Sequence, residues 1–415
     1  MLLTGIDPVF SQDEVFKGQD PAKEVTTVNQ KIDTIQQRQY RFQKSGLTFS
    51  CDFLTGRFNK VSQKNDSVFT VLISAENYPI NPSPWYAFYL TANLSQKIVV
   101  ELTYTKSKHR YYPKISPDGK NWRTVDSSLV QYIQPGKEKF GAGSMPVSVN
   151  VTLQINKGDT LWLAAQEPAS SKDVYDWINK LPANKKIKQG IAGYSTYKKE
   201  IRYFTIGKVK KNKPSVVIIS RQHPPEVTGY FAMQQFVDVL LSSEKQCRKY
   251  RKKFVSYVVP LMNPDGVDNG HWRHNAGGVD LNRDWVQQHQ PEVKQVNHFL
   301  DSSLKANNSK ILFFIDFHST WDDIFYTNSV TKKSNLPGLM DQLLAGIEKE
   351  LQQGKLNIKA SDKNESFVSK GYFYNIYNAE SVTYEVGDNT SREIIERKGK
   401  VAARSFLNSL FKLNK

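Results

Sequence analysis

The sequence has little cysteine. Only Cys51 and Cys247 occur in 415 residues, far apart, so neither a disulfide framework nor a cysteine metal site is available. Long apolar runs are missing too: no stretch approaches the roughly 18 residues that a membrane-crossing helix needs. The opening, MLLTGIDPVFSQDEVF, meets Asp7 before a signal-like apolar core of about 7 to 15 residues can form. A cytoplasmic location is therefore expected, or a periplasmic or secreted one if a leader has been removed. Internal repeats and low-complexity segments are absent. Acidic residues are scarce beside basic ones, 40 against 57, giving a formal net charge of +17. That surplus attracts anionic partners, and much of it lies in GKVKKNKP around Lys208 and KQCRKYRKKF from Lys245. Neither run carries an RNA-binding signature, so nucleic acid is not an expected partner.

What is present divides the chain in two. At 415 residues it is too long for one ordinary core. From about Gly46 to Gln166, short β-rich runs such as SVFTVLIS, KIVVELTYT and VSVNVTLQI alternate apolar and polar residues between turn signals such as Ser116-Pro117-Asp118-Gly119. This pattern predicts an antiparallel β-sandwich over residues 1–168. After Glu167-Pro168 the period changes. VYDWINKL reads as an amphipathic helix, and the apolar strands PSVVIIS, FVSYVVPLMN, ILFFIDFHS and SVTYEVG then alternate with helical segments up to SREIIERKGKVAARSFLNSLF. Residues 169–415 are therefore expected to form an α/β unit: a mixed, largely parallel sheet with helices on both faces and its ligands at the C-terminal strand ends.

Four titratable groups fall at three such ends. His223 and Glu226 follow PSVVIIS in RQHPPEVTGY, His318 closes ILFFIDFHS, and Glu385 lies late in SVTYEVG. Two histidines and one carboxylate make a three-ligand catalytic zinc set that leaves a fourth position open, and a hydrolase then needs a base beside the water. The densest polar segment, NPDGVDNGHWRHNAGGVDLNRDW from Asn263 to Trp285, contributes Arg273, Asn282 and Arg283. A guanidinium binds a carboxylate bidentately or stabilises an oxyanion. The same arginines could instead pair with Asp265, Asp268 or Asp280.

These motifs resemble the zinc metallocarboxypeptidases of the carboxypeptidase A and B superfamily, most nearly the cytosolic carboxypeptidase branch and its bacterial relatives. HPPE matches the first two ligands, and NPDGV, an arginine and then DLNR match that branch more specifically. The resemblance implies one zinc per chain on His223, Glu226 and His318, with Glu385 as general base. It further implies Arg273 at the scissile carbonyl, and Asn282 with Arg283 on the terminal carboxylate of a peptide or protein substrate. SKGYFY aligns with the floor of the specificity pocket, which puts Lys370 where it would favour an acidic terminal residue. One departure is that ASDKNESFVSK, the region of the substrate-capping tyrosine, contains no tyrosine; Tyr372 and Tyr377 are substitutes. Two other functions remain open: an amidohydrolase on the same scaffold, acting on peptidoglycan stem peptides or N-acyl amino acids, and a binding module without turnover.

Overall fold

Period-two burial builds the first half. In Val68–Ile73 the side chains of Phe69, Val71 and Ile73 are fully buried, and Val149, Val151, Leu153 and Ile155 repeat the pattern in Ser148–Ile155. Such alternation packs one face of a sheet on a core. One sheet has the order β1 (Gln39–Phe42), β2 (Leu47–Ser50), β5 (Ala87–Ala92), β11 (Thr160–Ala164), β7 (Lys114–Ser116), β8 (Arg123–Thr124). The other runs β3 (Lys60–Gln63), β4 (Val68–Ile73), β6 (Gln96–Tyr104), β10 (Ser148–Ile155), β9 (Val130–Ile133). Phe49, Phe88 and Leu90 from the first sheet meet Phe69, Val100 and Leu102 from the second in one hydrophobic cluster. Among the described residues the pairing departs from purely antiparallel at one place, where β4 and β6 run parallel. The chain leaves β4, crosses to the other sheet for β5 and returns in the same direction. The chain is seen here as a computed structural model that describes residues 16–19, 22–77, 81–133, 147–182, 187–329, 334–361 and 365–414.

The second half holds one eight-stranded sheet, ordered β12 (Ile187–Tyr194), β13 (Glu200–Ile206), β15 (Val255–Val259), β14 (Ser215–Ser220), β16 (Ile311–Thr320), β19 (Glu380–Gly387), β17 (Ile324–Asn328), β18 (Ile358–Ser361). The central strands β15, β14, β16 and β19 are all parallel to their neighbours among themselves. Their residues are buried almost without interruption, because helices cover both faces. Val216, Ile218, Phe313, Ile315, Phe317, Val382 and Tyr384 pack with α1 (Ser171–Asn179), α2 (Val227–Leu241), α3 (Lys245–Lys253), α6 (Leu339–Leu351) and α8 (Arg392–Leu413). Val217, Ile219, Val259 and Phe314 pack on the opposite side with α5 (Pro291–Ala306) and α7 (Ser369–Tyr377). The expected mixed α/β sheet with helices on both faces is thus observed. The short α4 (Pro264–Asp268) opens the polar segment that follows β15. Among the described residues no helix is long and apolar enough to cross a membrane.

Parity along these strands aims the polar side chains. Phe317 and Tyr384 point into the face carrying α2 and α8, so Asp316, His318 and Glu385 point to the other. His318 and Glu385 are register partners in the parallel ladder, which puts their side chains next to each other.

Candidate metal centre and active site

The turn between β14 and α2 is built for close approach. Arg221 adopts a left-handed φ of 56°, unusual for a residue other than glycine, and its buried guanidinium donates to the carbonyls of Ala169 (3.0 Å) and Pro224 (2.6 Å). Those bonds hold the turn that carries His223. Glu226 occupies the cap position of α2 yet makes no capping bond, which frees its carboxylate to face the sheet. Gly229, one turn later, lies against the backbone of His318, where a Cβ would collide with the carbonyl. The contact is fixed by Ser319 Oγ, which accepts from Gly229 N (2.9 Å) and Thr228 Oγ1 (2.8 Å).

His223, Glu226 and His318 consequently offer ligand atoms that all lie within 4.8 Å of one another. Nδ1 of His223 is 2.8 Å from Glu226 Oε1, and Nδ1 of His318 is 2.7 Å from Glu226 Oε2. Each imidazole turns its far nitrogen to a different carboxylate: His223 Nε2 to Asp280 (3.0 Å) and His318 Nε2 to Asp316 (2.9 Å). A carboxylate behind a ligating histidine fixes its tautomer and leaves Nδ1 for the metal. Glu226 Oε2 also satisfies no hydrogen-bonding geometry despite its proximity to His318, and Glu385 Oε2 is likewise buried without a hydrogen bond. The donor set, the two backing carboxylates and these bare oxygens fit a zinc ion. Burial disfavours charge on both imidazoles, but Glu226 and Asp280 hold His223 above its ordinary value, and Asp316 and Glu226 hold His318 well above it. The pocket is negative enough to call for a cation.

Asp280 links this centre to the polar segment. Its Oδ1 accepts from His223 Nε2 and from Asn282 N (2.9 Å); its Oδ2 accepts from Arg273 Nε (2.8 Å) and is 3.7 Å from Arg283 Nη1. The possible arginine–Asp280 pairing read from the sequence is therefore present, and it lies within the candidate site. Asn282 accepts from Ser369 N through Oδ1 (2.9 Å), so its two N–H donors are what it can offer a ligand. Arg273, Asp280 and Arg283 line a cavity of about 200 Å³ together with Lys23, Val25, Thr26 and Gln30 from the N-terminal segment.

Glu385 is buried, and desolvation together with the like charge of Glu226 pushes its carboxyl up to about 7. Arg110, from the loop after β6, reaches across to this end. It donates to Asp388 from Nε (2.8 Å) and lies over the rings of Tyr111, Trp272 and Trp321. Lys370 is buried at the start of α7, where it donates to Thr327 O (3.0 Å) and Asn328 Oδ1 (3.2 Å) and stands 3.7 Å from Glu365 Oε2. Burial pushes its pKa down. Tyr372 and Tyr377 do not take the capping position. Tyr372 accepts from Gln288 and Asn297, Tyr377 donates to Asn297, and both pack in the cluster beneath α5. Residues 362–364 of the tyrosine-free loop lie outside the described residues.

A family model described as zinc carboxypeptidase matches residues 174–406, more than half of the chain. The chain belongs to that family. Zinc carboxypeptidases are zinc-dependent, which agrees with the three clustered ligands. The chain is 24% identical over 320 residues to cytosolic carboxypeptidase 3 of Mus musculus, covering 71% of this chain and 31% of that protein. With cytosolic carboxypeptidase 2 of Danio rerio it shares 24% identity over 310 residues, covering 68% of this chain and 41% of that protein. It thus spans less than half the length of these two relatives. Among solved structures, the metallo-carboxypeptidase from Burkholderia cenocepacia superposes with a TM-score of 0.71 at 18% identity, covering 88% of this chain and 99% of that one. That likeness of fold extends over the β-sandwich as well as this zinc carboxypeptidase region.

Proposed function

We propose that this protein is a zinc-dependent carboxypeptidase that hydrolyses the C-terminal bond of peptides or proteins, with one zinc per chain on His223, Glu226 and His318. The observation that carries the reading is Asp280. It ties a ligand histidine and two arginines into one assembly, so a terminal carboxylate held by Arg283 and Asn282 sits beside the metal centre.

A bound zinc supplies Lewis acidity and makes water acidic enough to act near neutral pH. The chain's own groups do the rest. Arg283 and the Asn282 amide grip the substrate's terminal carboxylate, which selects the last peptide bond. Arg273, held by Asp280 through Nε and Nη2, turns Nη1 to the scissile carbonyl and stabilises charge as the carbonyl carbon becomes tetrahedral. Glu385 takes a proton from the attacking water and returns it to the leaving amine. We place the boundary between the sandwich and the catalytic unit near residue 168, with residues 16–19 and 22–30 lying on the catalytic side.

The preference for an acidic terminal side chain rests on Lys370. Its ammonium is already bonded to Thr327 and Asn328, so a substrate carboxylate gains access by taking the place of Glu365. The test is a panel of peptides with free and amidated C-termini, alongside N-acyl amino acids and muropeptides, on metal-stripped and zinc-restored protein. Cleavage of free-acid peptides alone, restored by zinc, is expected. Equal cleavage of amidated peptides, or turnover of acyl amino acids alone, refutes the reading.

A further inference from the structure

We infer that Glu76, in the loop between β4 and β5 of the sandwich, is a positioning residue that fixes Arg273 in its catalytic place. The inference rests on the carboxypeptidase reading above for what Arg273 does.

Arg273 lies in a segment without regular secondary structure, so its backbone N–H groups need partners from elsewhere. They find one carboxylate. Glu76 accepts from three successive amides: Trp272 N (3.3 Å to Oε2), Arg273 N (3.0 Å to Oε1) and His274 N (3.1 Å to Oε1). The side chain is wholly buried, as a group chosen only to solubilise a surface would not be. Its neighbours extend the grip. Asn77 donates to Gly278 O (3.1 Å) and bonds His274 Nδ1 through Oδ1 (2.9 Å), while Asn81 donates to Glu76 Oε1 (3.1 Å). The arginine is therefore located at both ends, its guanidinium by Asp280 and its backbone by Glu76. Neither anchor suffices alone: a long side chain tied only at its tip swings with its Cα, and one tied only at its backbone samples many rotamers.

In Glu76→Gln the side chain keeps its length, but one acceptor oxygen becomes a donor: in place of Oε2 it faces the N–H of Trp272, and in place of Oε1 it faces those of Arg273 and His274. The loop must shift. A displacement of about 1 Å at a catalytic group costs on the order of 100-fold, so kcat/KM is expected to fall between tenfold and 100-fold, mainly in kcat, with zinc content unchanged. In an Arg273→Ala background the same substitution is expected to change kcat/KM by less than about twofold, because partners in one assembly are not additive. Amide exchange at residues 272–274 should accelerate in Glu76→Gln, a readout that needs no activity. If that variant fails to fold, Glu76→Asp carries the same cycle. Equal losses in both backgrounds, or unchanged exchange at the three amides, overturns the inference. A wild-type protein that cleaves no free C-terminus refutes the carboxypeptidase reading instead, and the exchange data still decide whether Glu76 holds the loop.

Discussion

Asp280→Asn is the perturbation with the most to lose, since one carboxylate serves four groups. Oδ1 takes His223 Nε2 at 3.0 Å and Asn282 N at 2.9 Å, and Oδ2 takes two nitrogens of Arg273, each at 2.8 Å. An amide keeps one acceptor. If its oxygen faces Arg273, its NH2 meets the N–H of His223; if it is flipped, the NH2 meets a guanidinium. Losing the carboxylate behind a ligand histidine costs 10- to 100-fold in metal affinity, or about 1.4 to 2.7 kcal/mol. Removing the charge from a buried pair costs about 3 to 5 kcal/mol, and the lower end applies because the Arg273 side chain retains 25% exposure. Unfolding entropy of about 2.1 cal/mol/K per residue over 415 residues is roughly 0.9 kcal/mol/K, so a loss of about 3 kcal/mol lowers the metal-free Tm by about 3 to 4 °C. Chelator competition measures the first effect and calorimetry in EDTA the second. Zinc affinity within twofold of wild type, together with a Tm within about 1 °C, refutes the reasoning.

Three further outcomes are expected. Glu385→Gln should retain zinc by elemental analysis and lose about 10²- to 10⁴-fold in kcat, the contribution of a positioned base; a loss under tenfold removes Glu385 from that role. Glu365→Gln should raise the kcat/KM of Glu-ending over Phe-ending peptides several-fold, by clearing the anion beside Lys370, and an unchanged ratio would mean that Lys370 does not read the terminal side chain. Burial raises the Glu76 carboxyl, but His271, Arg57 and His274 outweigh it and hold the folded value at about 2 against 4.5 ordinarily. A depressed acid contributes stability above its unfolded pKa and loses it as pH falls through the folded one, here between about 4.5 and 2. The urea stability gap between wild type and Glu76→Gln should therefore close across that window; a constant gap contradicts the assignment.

The metal centre was legible because its parts sit where local pattern is strongest. PSVVIIS, ILFFIDFHS and SVTYEVG are unbroken apolar strands, and the ends of parallel strands are where such sheets place ligands. Asp316 carried a signal that could have been used: a lone acid two residues before His318 in an otherwise apolar run must share its face. The parallel pairing of β4 with β6 had none, because strand period is the same in either direction. Nor did the contacts of Glu76 with Arg273 and of Arg110 with Asp388, which join residues 197 and 278 positions apart. Long-range partners of irregular loops leave no periodicity to read. The acid preference ascribed to Lys370 shows the same gap, since no spacing announced that Glu365 would stand beside its ammonium.

The charges explain why a divalent ion suits this place. Asp280 is more than matched by Arg273 and Arg283, and Asp388 is matched by Arg110, so these carboxylates leave no negative charge for a cation to answer. What remains is Glu226, Asp316 and Glu385, buried around two histidines. Glu226 and Asp280 raise the pKa of His223 against its burial, and Asp316 and Glu226 do the same for His318, so the carboxylates here favour positive charge between them. A zinc ion would bring two positive charges on one atom, with both imidazoles as neutral ligands. Ligands and clamp can be set in place before metal or substrate arrives, the arrangement in which electrostatic stabilisation costs least when the reaction occurs.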